Sequence, residues 1–264
     1  MNIDFINNLN VFSFEGIAIL TIAGFLVGVI NTIAGSGTII TYSLFMMLGL
    51  PANYANGTIR LGVIMQTLAS SGTFWLKHKL DVKKGLMLAV PIILGTIIGA
   101  RIAVNIDERF FEKIIGIVMI MMLIFIFLKP ERWIEGKEHL VKKKTSAIQI
   151  IVFFLIGLYG GFIHIGVGIF LLAALVLLAG YDLVRANALK VFIVFLYSPF
   201  ALTIFIMNGH VHYGMGLIAA IGNLIGGIVA SKFAVDWGAK FIRWFLIIVI
   251  ILFASKLLGV YSWF

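Results

Sequence analysis

The stretch INTIAGSGTIITYSLFMMLGLPANYANGTIR, residues 30–60, decides the fold. An apolar segment runs into Gly35-Ser36-Gly37, and a second apolar segment begins at once but ends at Gly49-Leu50-Pro51. As a helix, residues 37–50 would rise about 21 Å, short of the roughly 30 Å of hydrocarbon in a bilayer. The pattern predicts a broken, half-membrane helix. A new helix should follow, capped by Asn56, Gly57 and Thr58, with Arg60 a turn inside it. Arg60 is the only base between residues 1 and 76.

The chain around this stretch is 62% hydrophobic and 12% charged, whereas soluble domains carry about 25% charge. Its apolar runs are continuous rather than alternating, which excludes a β-barrel and leaves helices as the way to satisfy the backbone in lipid. We read about ten transmembrane or half-membrane segments, near 17–34, 37–50, 57–76, 85–104, 110–128, 147–165, 167–181, 186–207, 214–231 and 241–258. There is no cysteine, which excludes disulfides and thiolate chemistry. The first sixteen residues hold two acids and no base, so the first helix is expected to remain in the mature protein. The net charge of +9 sits in short loops, not on an amphipathic stripe, and points away from nucleic acid.

Segment 167–181 is as short as 37–50, and it follows a second Gly-x-Gly, Gly166-Val167-Gly168. Residues 35–110 superpose on 166–241 at a constant offset of 131, with sixteen of 76 pairs identical, among them Gly35/Gly166, Gly37/Gly168, Gly49/Gly180 and Asn56/Asn187. Five segments per copy is an odd number, so the second copy should be inverted. If the basic loop 129–144 is cytoplasmic, 15 of the 20 Lys and Arg fall on that side, as the positive-inside rule requires. Both termini are then external. The expected organisation is a first repeat over 1–128, a charged cytoplasmic loop over 129–146, and an inverted second repeat over 147–264. Inverted repeats with matching helix breaks are the signature of secondary transporters, whose site lies at the midplane between repeats.

Asn31, Gly35, Ser36, Gly37 and Thr38 surround the first break, where free N–H groups at a helix start attract anions; close helix packing is the other use of such glycines. Asn56, Thr58 and Arg60 follow, then Gln66, which needs a polar partner in the bundle. Arg60 suits an anionic oxygen pair, or else snorkels to the interface. The second copy offers His164, Gly166, Gly168, Asn187 and Lys190, the last nearly equivalent to Arg60, so that two bases would approach from opposite sides. Lys190 also reads as a cytoplasmic charge, and His164 as a packing residue. Asn223, Tyr197 and Ser198 read as structural, and Gly95-xxx-Gly99 with Gly222-xxx-Gly226 as close helix contacts. No Asp or Glu falls in the middle of a segment, which speaks against a carboxylate proton relay or a cation site. No HExxH, GxSxG or P-loop is present, so neither an enzyme nor an ATP-driven pump is indicated, and no cofactor or metal is implied.

INTIAGSGTIIT at 30–41, GLPANYANGTIR at 49–60 and the run from GLYGGFIHIGVG through ANALK at 157–190 resemble the sulfite exporter TauE/SafE family of membrane transporters, over nearly the whole chain. The resemblance implies transport of sulfite, organosulfonates such as sulfoacetate, or related small anions across the inner membrane without ATP. The residues by themselves reach only an anion transporter. An anion channel and a non-transporting assembly factor remain as alternatives, and the glycine-rich faces are compatible with a homodimer.

Overall fold

A computed structural model describes residues 10–106, 138–141, 145–242 and 244–245. Among these residues the regular structure is helical: α1 Phe14–Ile33, α2 Thr38–Met47, α3 Ala52–Leu76, α4 Val82–Asn105, α5 Ala147–Phe162, α6 Val167–Leu177, α7 Leu183–Met207 and α8 Tyr213–Asp236, with a single turn at Glu138–Val141. The expected segment 110–128 lies outside the described residues. Of 241–258 only 241–242 and 244–245 are described, and they are helical.

Local chemistry sets most of the helix starts. Ser13 accepts from Gly16 N, Asp81 from Lys84 N, and Asp182 from Val184 N and Arg185 N, while Ser146 and Gln149 form a capping box. One expectation needs correction: Asn56, Gly57 and Thr58 do not cap α3. Pro51, with extended backbone (φ −55, ψ 153), stands before its first turn, so α3 opens at Ala52 and places Asn56 and Arg60 well inside the helix. α5 ends at Phe162, short of the expected 165, because Ile163 is extended. The helices α2 and α6 have Gly37 and Gly166 at their N-caps and so begin without any side-chain cap.

The 131-residue offset recurs in the backbone. The bounds of α3 and α4 map onto those of α7 and α8 residue for residue. Left-handed backbone recurs at Gly35/Gly166, Gly49/Gly180 and His78/Gly209. The helices α3 and α7 pack antiparallel. At one end Tyr54 stacks on His210 with ring centroids 4.8 Å apart; at the other, Tyr181 Oη donates to Asp81 Oδ2 at 2.8 Å. That second end also gathers Lys77 with Asp236 at 3.4 Å and Lys84 Nζ with Thr145 Oγ1 at 3.1 Å, so loops read as sharing one side do meet.

The pair α1 with α8 flanks the α3–α7 centre on one side, and α4 with α5 on the other. Both contacts are backbone-close. A Cβ on Gly99 would stand 1.9 Å from Leu158 O, and one on Gly222 1.9 Å from Thr21 O, so the expected small-residue contacts are real ones. Outward faces carry Ile22, Leu94, Ile98, Ile151, Leu217 and Ile221, exposed apolar side chains that lipid solvates and water does not. α1, α4, α7 and α8 are long and apolar enough to span a membrane. α3 matches their length but buries Asn56, Arg60, Gln66, Thr67, Ser70 and Ser71. The described residues form an all-helical, multi-pass membrane bundle that turns the polar residues of α3 inward.

Candidate functional site at the crossing of two helix breaks

The two breaks touch. Gly168 N donates to Gly35 O at 3.2 Å, and a Cβ on either glycine would lie within 2.5 Å of the other's backbone. Only glycine fits such an approach, and Gly35 also adopts φ +79. The sequence thus folds each chain reversal so that the ends of α1 and α5 and the starts of α2 and α6 converge in the interior.

Helix ends leave carbonyls without intrahelical donors, and two buried cations take them. Arg60 of α3 donates from Nη1 to Gly160 O at 3.2 Å and from Nη2 to Gly161 O at 2.7 Å, in the last turn of α5. Lys190 of α7 donates from Nζ to Thr32 O at 2.7 Å, Asn31 O at 3.2 Å and Ile33 O at 3.5 Å, in the last turn of α1. Arg60 is fully buried and Lys190 is 1% exposed, so neither is the interfacial or cytoplasmic charge that the sequence allowed. The Arg60 guanidinium also lies 4.7 Å from the centroid of the Phe205 ring. The negative end of a helix dipole favours a cation by up to about 2 kcal/mol, against several kcal/mol for burying the charge. The carboxylates among the described residues, Glu15, Asp81, Glu138, Asp182 and Asp236, sit at helix ends or in loops, so none neutralises this pair.

A small cavity of about 10 Å³, room for about one water, lies at the crossing. Asn31, Gln66, Thr67, His164 and Lys190 supply its polar lining, with Gly35, Gly168 and the valines 167, 191 and 194. Gln66 finds its expected partners: Asn31 Nδ2 donates to Gln66 Oε1 at 2.7 Å, and Gln66 Nε2 to Thr32 Oγ1 at 2.8 Å, with Ser70 Oγ 3.0 Å beyond. His164 Nδ1 lies 3.3 Å from Tyr197 Oη. Asn56 ties the second break down, donating to Phe162 O at 2.8 Å and accepting from His164 N at 3.4 Å.

Not every expected residue reaches this cavity. Arg60 and Asn56 act on the end of α5 beside it, and Thr58 accepts from His212 N at 3.0 Å, towards the end where Tyr54 meets His210. Ser36, Thr38 and Asn187 are buried with side-chain polar atoms that have no hydrogen-bond partner among the described residues, and none of them lines the cavity; nor do Gly37 and Gly166. A Cβ on Gly37 would meet Asn31 N and Val27 O at 2.8 Å, so this glycine serves the fold-back onto α1. Sequence reasoning missed Thr67, and it gave Tyr197 only a structural part. It also missed the acceptors on Gly160, Gly161 and residues 31–33, because a backbone carbonyl has no residue-type signature; a helix break opposite a buried base was the available signal.

Comparison with known proteins places the chain among membrane transporters. Relatives include the "Probable membrane transporter protein ORF9" of Sinorhizobium sp, 28% identical over 94% of this chain and 94% of the relative. Another is a "Probable membrane transporter protein" of Haemophilus influenzae, 24% identical over 94% and 96%. The "Probable membrane transporter protein YunE" of Bacillus subtilis is 26% identical over 92% and 98%. No solved structure gives a significant match. The model of the family described as "Sulfite exporter TauE/SafE" matches residues 20–257, and the chain is therefore a membrane transporter of the sulfite exporter TauE/SafE family.

Proposed function

We propose that the protein is a secondary transporter of small sulfur-containing anions, sulfite or organosulfonates such as sulfoacetate, held between two inverted repeats in the inner membrane. The observation that carries this reading is the pair Arg60 and Lys190: two buried cations brought from opposite halves, with no carboxylate beside them among the described residues. An uncompensated positive centre at membrane depth is costly, and an anion repays that cost by binding. The antiparallel α3 and α7, equivalent under the 131-residue offset, support inversion. Lys190, Asn31, Gln66, Thr67 and His164 contact the anion; Arg60 positions the second break.

The small size of the cavity favours a carrier over an anion channel, because an organosulfonate fits only after the walls separate. Proteoliposomes preloaded with unlabelled sulfoacetate test this. A carrier accelerates uptake of labelled sulfoacetate by exchange, whereas a channel shows no such acceleration.

A further inference from the structure

His164 is a second feature of the cavity, distinct from the cations. It is 1% exposed, lines the cavity with Lys190, and has Tyr197 Oη 3.3 Å from Nδ1. The side-chain contact of its ring runs through Nδ1, and its backbone N–H donates to Asn56 Oδ1. In the tautomer that donates Nδ1–H to the Tyr197 oxygen, Nε2 carries the lone pair that can take a proton. The titratable groups around it are Lys190 and Tyr197 on α7, Arg60 on α3, and Tyr159 on α5, whose hydroxyl donates to Ile165 O. α1 contributes to the lining only Asn31, and the turn after it only Gly35, neither of which titrates.

A proton on Nε2 would be a third positive charge in a region where no described carboxylate offsets it. An anion in the cavity supplies the missing countercharge, and by reciprocity the proton strengthens anion binding to the same degree. We infer that His164 is a proton-binding site filled together with the anion, so that the cavity takes up one proton and one anion as a pair. The step is a proton transfer from a hydronium ion to Nε2: an O–H bond breaks as the Nε2–H bond forms, water leaves, and the Nδ1–H bond to Tyr197 stays in place. The inference rests on the carrier reading above and adds the coupling ion to it.

The test uses the full chain in proteoliposomes loaded with a pH-sensitive dye, with inward gradients of sulfoacetate and isethionate, both fully ionised between pH 6 and 8. Anion uptake should acidify the lumen with about one proton per anion. The half-saturating anion concentration should fall at least about five-fold from pH 8 to pH 6, within the usual range of coupling between sites. In His164→Gln the ratio of protons to anions should drop to zero in whatever flux remains. If that variant does not fold, Tyr197→Phe should shift the pH midpoint of uptake to lower pH, since it removes the acceptor that steadies the protonated ring. Uptake without acidification in the native protein overturns the inference and leaves the carrier standing. No uptake of either sulfonate overturns the sulfonate-carrier reading and this inference with it.

Discussion

Arg60 and Lys190 perform the same act on opposite halves of the molecule: each crosses from its own long helix to hold the C-terminal carbonyls of the other half's broken helix. The two differ in their access to the cavity, which Lys190 lines and Arg60 does not. This asymmetry separates their roles. Lys190→Gln should raise the half-saturating anion concentration by about ten-fold or more, since one lost charge-assisted hydrogen bond costs about 1.5–3 kcal/mol. Arg60→Gln should chiefly lower the maximal rate and the thermal stability. Initial-rate kinetics with unfolding in detergent will distinguish the two; identical kinetic signatures would contradict the division of labour.

Arg60 forks to two successive carbonyls and lies against the Phe205 ring, contacts that its planar guanidinium makes together and a lysine ammonium would not. Arg60→Lys should therefore recover little of what Arg60→Gln loses. Unfolding midpoints of the two variants, compared side by side, will show whether charge alone suffices.

The contact of Gly35 with Gly168 leaves no space for a methyl group on either residue. Gly35→Ala and Gly168→Ala should each sharply reduce the yield of folded, monodisperse protein. Gly72→Ala is the control: a Cβ there would have no atom within 4 Å, and helix propensity should stabilise α3 by about 0.5–1 kcal/mol. Equal behaviour of all three in size-exclusion yield would refute the crossing.

Gln66 links Asn31 to Thr32 across α1 and α3. Gln66→Leu leaves both partners short of a bond in the interior, at a cost of about 1–3 kcal/mol for each group left unpaired. That variant should lose stability, whereas Gln66→Glu should keep its fold and lose uptake. The acid preserves some acceptor capacity yet brings a negative charge to the anion's place. Thermal unfolding paired with uptake assays reads both effects.

Much of the fold was legible because its determinants are residue types with few alternatives. Glycine at Gly35, Gly49, Gly166 and Gly180 marks left-handed backbone, and the shortness of 37–50 and 167–181 follows from where those glycines fall. The register of the repeat could be read from these same positions. The start of α3 could not, since Asn56, Gly57 and Thr58 are good capping residues and only the backbone of Pro51 decides that the helix begins earlier. In the site, Arg60, Lys190, Gln66 and His164 stood out as polar side chains in apolar surroundings. Several of their partners are backbone carbonyls or residues such as Thr32 that occur throughout membrane helices, and these carried no signal. Ser36 and Thr38 looked like ligands because they flank the break, yet the chain turns there without bringing them to the cavity.

The most direct test of the central claim is saturable uptake and current in proteoliposomes on addition of sulfite, sulfoacetate, sulfate or chloride, comparing the native protein with Lys190→Gln. The account predicts saturable signals for the sulfur-containing anions that shift to much higher concentration or vanish in the variant. Silence for every anion in correctly folded native protein would contradict it.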